Sequence, residues 1–193
     1  MAVFPLFIEL KGRKCVLVGG GRVAARKAAV LAGFEAEILV ISPELDAELA
    51  KLHEEGSLAV CRRKYGQGDL EGAFLAIAAT NDPVVNREVV AEANRAGIFV
   101  NAADAPEECG FLFPAVVKRD RLVIGVSTSG SCPALSREIR KRLEKMVDGM
   151  DGAGLERVEK KRREAMDSTE DAAKRKKIID AAVLEALEDT EDF

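Results

Sequence analysis

The 193-residue chain is 48% hydrophobic and 32% charged, which fits a globular protein with one domain and an appendage. No run approaches the roughly 18 apolar residues of a membrane span, and the start, MAVFPLFIEL, shows neither a basic leader nor a small-residue cleavage site; a cytoplasmic protein with no membrane partner is expected. Four scattered cysteines without a C-x-x-C pair and a single histidine, His53, point to neither a disulfide framework nor a zinc site.

In chain order, Cys15 to Val18 reads as a buried strand and Gly21 to Leu31 as an Ala-rich helix ended by Gly33. Ala36 to Ile41 is a second strand, Pro43 to Glu55 a helix ended by Gly56, and Ser57 to Cys61 a short third strand. Ala73 to Ala78 is another strand, Asp82 to Ala96 a helix ended by Gly97, and Ile98 to Asn101 a further strand. This alternation predicts an α/β fold, a doubly wound parallel sheet with helices on both faces. Near Phe111 the pattern changes. Phe113 to Lys118 and Leu122 to Ser127 form two β-rich runs joined at Arg119-Asp120-Arg121, an antiparallel hairpin. Pro133 to Met146 then reads as a helix with Leu135, Ile139, Leu143 and Met146 on one face, Ser131 as its cap and Pro133 at its start. Past Gly149 the pattern is helical to the end.

Charge is uneven along this order. Residues 1–150 carry 20 basic and 20 acidic side chains, so the net charge of −4 resides in the tail. The KKRR run at 160–163 is a solvated helix face, and no nucleic-acid partner is expected. Lys118 to Lys145 holds 8 basic residues against 3 acidic, a candidate surface for anions.

The chemistry is concentrated at strand ends. VLVGGGRVAARKA, residues 16–28, sets Gly19-x-Gly21-x-x-Ala24 between a strand and a helix, with Gly20, Arg22 and Val23 in the intervening positions. Gly19 allows the tight turn, Gly21 lets the backbone approach a pyrophosphate, and Ala24 lets helix and strand pack closely; the helix N-terminus offers N–H groups to the phosphates. This is a Rossmann-like dinucleotide site. The acidic residue that normally ends the second strand is missing, and Ser42, Pro43 and Glu44 stand there instead. No arginine follows to receive a 2′-phosphate, so NAD is the expected cofactor. Thr80 and Asn81 lie past the carboxyl end of the next long strand, on the edge where ligands bind. Asp104 lies just past the carboxyl end of Ile98 to Asn101, on the same edge. Ser127, Thr128, Ser129, Gly130 and Ser131 lead into the helix at Pro133 with hydroxyls and free N–H groups, and Arg137 and Arg140 follow on it.

GGGRVAARKA, AIAATND, VNAADAPEECGFLFPA and STSGSCPALSREIRKRL together resemble the precorrin-2 dehydrogenase/sirohydrochlorin ferrochelatase family, the module also found at the N-terminus of siroheme synthases. The resemblance covers about residues 1–150. It implies NAD-dependent oxidation of precorrin-2 to sirohydrochlorin in siroheme biosynthesis; some members then insert ferrous iron, and whether iron, cobalt or no metal is inserted here stays open. It implies that Asp104 is the catalytic base, and it gives the Ser127–Ser131 loop with Arg137 and Arg140 a use as receivers of the substrate's carboxylates. A metal site is not identified. Because two strands alone are marginal in water, the hairpin is expected to join another sheet or pair across a two-fold axis, and the resemblance favours a homodimer. The expected division is 1–111 for the NAD-binding Rossmann domain, 112–148 for a dimerisation region and 149–193 for a C-terminal helical domain. A non-catalytic module that senses NAD or NADH is the alternative; it leaves the Asp104 segment and the hydroxyl-rich loop without a use.

Overall fold

The structure, a computed structural model, describes residues 2–102, 108–148 and 152–188. The chain divides into two compact units, one over Val3–Phe113 and the other from Pro114 onward.

In the first unit five strands form a parallel sheet: β1 (Lys14–Val18), β2 (Glu37–Ile41), β3 (Ala59–Cys61), β4 (Leu75–Ala78) and β5 (Phe99–Ala102). Their order is β3-β2-β1-β4-β5, so the chain reverses direction of travel between β1 and β4. β1 is central, with Cys15 opposite both Ile38 and Leu75. Because both faces are covered, β1 reads as an unbroken apolar run rather than an alternating one. Helices α1 (Arg22–Ala32) and α2 (Ala47–Glu54) supply one core, in which Ala24, Ala28 and Leu31 meet Cys15, Leu17 and Val40. Helix α3 (Pro83–Ala96) supplies the other, with Val89, Val90 and Ala93 against Val16, Val18 and Val100. This is the doubly wound fold that the strand-helix alternation predicts.

The connection between β3 and β4 carries no helix. Between β3 and β4, Leu70 is fully buried in the α3-side core, and Glu92 of α3 holds the loop around it. Phe111 and Phe113, which follow β5 in the chain, pack against the α1-side core. Helix α2 begins at Ala47, not at Pro43, because Asp46 is its N-cap and accepts from the Glu48 N–H at 3.0 Å. Residues 42–46 are instead held against the glycine turn.

The second unit opens with the predicted hairpin, β6 (Ala115–Arg119) and β7 (Leu122–Val126), paired antiparallel with Val117 opposite Ile124. Asp120 turns it at φ +50°. Helix α4 (Pro133–Met146) packs on both strands, and α5 (Gly152–Ser168) packs on α6 (Ala172–Glu188). The N-cap of α4 is Cys132 rather than Ser131: the left-handed residues Ser129 and Gly130 fold the loop back so that Thr128 Oγ1 accepts the Cys132 N–H. No helix among the described residues is long and apolar enough to cross a membrane.

Candidate functional site

The glycine turn is built from three glycines with three different surroundings. Gly19 is at φ +119°, and a Cβ there would lie 2.3 Å from Ala79 O; its N–H donates to Ile41 O at 3.0 Å. It threads between the ends of β2 and β4, where only glycine fits. Gly20 lies against the segment after β2: a Cβ would fall 1.9 Å from Glu44 O, and Gly20 O accepts from Asp46 N–H at 2.7 Å. Gly21, the N-cap of α1, has no heavy atom within 4 Å of the position its Cβ would take. Nothing inside the chain needs that residue to be small. The space beside it, next to the unpaired N–H groups of the first helical turn, suits a phosphate approaching the backbone. Ala24, fully buried one turn on, lets the helix lie close to the sheet.

A cleft of about 570 Å³ opens beside this turn, lined by Arg22, Val23, Arg26, Asp46 and Glu48. Arg22 and Arg26 are one turn apart on α1, and Asp46 and Glu48 begin α2. Arg26, Asp46 and Glu48 do not stand in the cofactor fingerprint, and the chain fold alone brings them to it. Ser42 is buried, and its hydroxyl donates to Glu44 O at 2.7 Å, bracing the segment; Pro43 and Glu44 are exposed.

Thr80, after β4, is held on all its polar atoms. Its N–H and hydroxyl reach Asn86 Oδ1 at 3.1 and 2.8 Å, and Asn86 Nδ2 donates back to Thr80 O at 3.2 Å. Asn86, on α3 and 2% exposed, thus fixes the strand end that faces Gly19. Asn81 is exposed beside it, and Asp82 caps α3 through the Val84 N–H. The glycine turn, residues 42–44 and Thr80 with Asn81 therefore gather at the carboxyl edge of the sheet, on either side of its reversal point. Asp104 lies outside the described residues.

Two further residues on this half, like Asn86, stand outside the site expected from sequence. Lys27, 6% exposed on α1, donates from Nζ to Asn101 Oδ1, and burial pulls its pKa down to about 8. Cys109 accepts from the Ala102 N–H at 3.1 Å and donates to Ala102 O at 3.4 Å.

In the second unit, Ser127 Oγ accepts from Ser129 N–H at 3.0 Å, and Thr128 Oγ1 accepts from Cys132 N–H at 3.0 Å while sharing a hydrogen bond with Ser136 Oγ at 3.1 Å. Ser129, Gly130 and Ser131 form the bend that these bonds close. Arg137 is exposed on the first turns of α4, whereas Arg140 is paired with Glu144 at 2.6 Å. Among the described residues no group of three His, Cys, Asp or Glu side chains could hold a metal ion.

Residues 6–115 match the family described as putative NAD(P)-binding. The siroheme synthase of Azotobacter vinelandii is 45% identical over 159 residues, 81% of this chain and 34% of that protein. That of Chromobacterium violaceum is 44% identical over 147 residues, 76% of this chain and 31% of that protein. The chain thus spans about a third of the length of these curated relatives. A solved structure titled SirC, precorrin-2 dehydrogenase, superposes with a TM-score of 0.71 at 26% identity, covering 94% of this chain and 89% of that one.

Proposed function

Since the chain belongs to the family described as putative NAD(P)-binding and is similar both to siroheme synthases and to a precorrin-2 dehydrogenase, we propose that it oxidises precorrin-2 to sirohydrochlorin. NAD is the cofactor, and when bound it accepts the hydride. The observation that carries the reading is the open flank of Gly21 at the head of α1, where a small residue serves no internal contact. The first-turn N–H groups of α1 would hold the pyrophosphate, and Arg22 would add a cation beside it. Asp46 supplies the carboxylate that β2 lacks at its end, with Glu48 beside it in the same cleft. Thr80 and Asn81, past the end of β4, would hold the cofactor along the same sheet edge.

Dehydrogenation removes a hydride and a proton from the tetrapyrrole, so a base must stand near the carbon that loses the proton. Asp104 is that base: it takes the proton as the hydride leaves and then releases it to solvent. The substrate's carboxylates are received by Ser127 to Ser131 and Arg137. Arg140 joins them by exchanging Glu144 for a substrate carboxylate. Residues 112–148 form the dimerisation region of a homodimer, and 149–193 a helical domain.

The test is an anaerobic comparison of the wild-type chain with Asp104→Ala. The variant is expected to bind NADH as tightly as wild type and to lose at least a hundredfold in the rate of precorrin-2 oxidation. Full oxidation by Asp104→Ala would remove it from the mechanism. Ferrous iron, and cobalt in a parallel sample, added after oxidation would test the metal insertion that the resemblance implies.

A further inference from the structure

We infer that Lys27 is a positioning residue for the segment carrying Asp104, acting through Asn101 on the two chain ends between which that segment runs. The inference rests on the proposed role of Asp104, but the tie itself stands on described residues alone.

Lys27 occupies a position that packing would give to a leucine or methionine. It lies in the buried stripe of α1 with Ala24, Ala28 and Leu31, and burying its ammonium is costly. Among the described residues, the groups acting on its charge are the Cys109 thiol, which favours it, and Arg26, which opposes it; neither is a carboxylate. Its ammonium donates to Asn101 Oδ1 and lies 5.5 Å from the centre of the Phe113 ring. An apolar residue of the same size would fill the stripe without the desolvation cost, so packing alone does not explain a lysine there.

The amide of Asn101 does. An asparagine side chain has a donor end and an acceptor end, and in isolation either can face a given neighbour. Because Lys27 claims Oδ1, Nδ2 is directed to Phe111 O at 3.0 Å and to Cys109 Sγ at 3.6 Å. Cys109 in turn holds both polar atoms of Ala102, and Gly110 N–H donates to Val100 O at 2.9 Å. The end of β5 and the chain from Cys109 to Phe111 are thereby tied together, on either side of residues 103–107. Reversing the Asn101 amide would set its oxygen against Phe111 O and break that tie. Phe111 O on one side and the Lys27 ammonium on the other both oppose the reversal.

The experiment uses the full chain with Lys27→Met and, as a second variant, Asn101→Asp, which still accepts from Lys27 but has no N–H for Phe111 O. Three readings are taken: NADH affinity by fluorescence, kcat for precorrin-2 oxidation, and the labelling rate of Cys109 by iodoacetamide, followed on its peptide. Both variants are expected to keep NADH affinity within twofold, to lose at least tenfold in kcat, and to label Cys109 at least fivefold faster. Unchanged kcat in a correctly folded variant overturns the inference, and so does a loss of kcat without faster labelling. If the wild-type chain does not oxidise precorrin-2, the proposed function fails by itself; unchanged Cys109 labelling in both variants would then overturn the tie independently of that failure. If Lys27→Met does not fold, Asn101→Asp decides by the same criteria.

Discussion

At the scale of single residues, the glycine turn separates two demands that the motif combines. Gly19 is required by the chain itself, through its positive φ and the carbonyl of Ala79, whereas Gly21 has an ordinary extended backbone and empty space beside it. Gly19→Ala is therefore expected to cost about 2 kcal/mol or more in a urea titration. Gly21→Ala should change stability by less than about 0.5 kcal/mol while weakening NADH binding at least tenfold. Equal effects of the two on stability would contradict this division. The pattern G-x-G-x-x-A gives no hint that Gly20 is equally constrained, because its neighbour, Glu44 O, lies beyond the next strand. Lys27 adds a pH dependence whose sign follows from its lowered pKa. From about pH 8 to its unfolded value near about 10.4, the unfolded chain holds a proton that the folded chain has released, so raising pH through that window favours folding. The stability of wild type relative to Lys27→Met should therefore improve between pH 7 and pH 9.5. A constant difference would contradict burial of the charged amine.

At the scale of elements, the helix-free connection between β3 and β4 is tied to α3 by the Glu92 carboxylate. Glu92 accepts from Tyr65 O–H at 2.5 Å, Gly68 N–H at 3.0 Å and Leu70 N–H at 3.0 Å. Burial opposes its ionisation, but the three donors outweigh it and hold its pKa below the usual value. Its contribution to stability is present above the unfolded pKa and is lost as pH falls through the folded one. Glu92→Gln should cost about 1–3 kcal/mol at pH 7, and the difference should shrink on acidification; an unchanged midpoint at pH 7 would contradict the role. Strands and helices were legible because their periods are local. Helix α1 shows Ala24, Ala28 and Leu31 in register, and the alternation of elements implies the parallel sheet. Partners were not legible, because they lie tens of residues away: Lys27 with Asn101, Glu92 with Leu70, Asn86 with Thr80. A signal for the first and last did exist. Lys27 and Asn86 are polar residues at positions that complete the buried stripes of α1 and α3, and a polar residue in such a stripe calls for a partner.

At the scale of the whole molecule, α4 leaves part of its predicted apolar face uncovered, with Leu135 50% and Met146 44% exposed. A two-stranded hairpin is marginal by itself, and burying those side chains of α4 against a second copy would cover them. Light scattering at micromolar concentration should give the mass of a dimer, and Leu135→Glu should shift it toward monomer. A monomeric wild-type chain would contradict the dimerisation region. The Rossmann half is the part of the molecule whose function is most legible in sequence, since a dinucleotide is bound mainly by backbone and small residues at fixed spacing. The proposed tetrapyrrole site draws on side chains from separated segments, which spacing does not encode. The most direct test is anaerobic incubation of the wild-type chain with precorrin-2 and NAD, following sirohydrochlorin and NADH together. The account predicts that both appear, one NADH for each sirohydrochlorin. NADH binding without any oxidation, with NAD or with NADP, would contradict the enzyme and favour a module that only senses the dinucleotide.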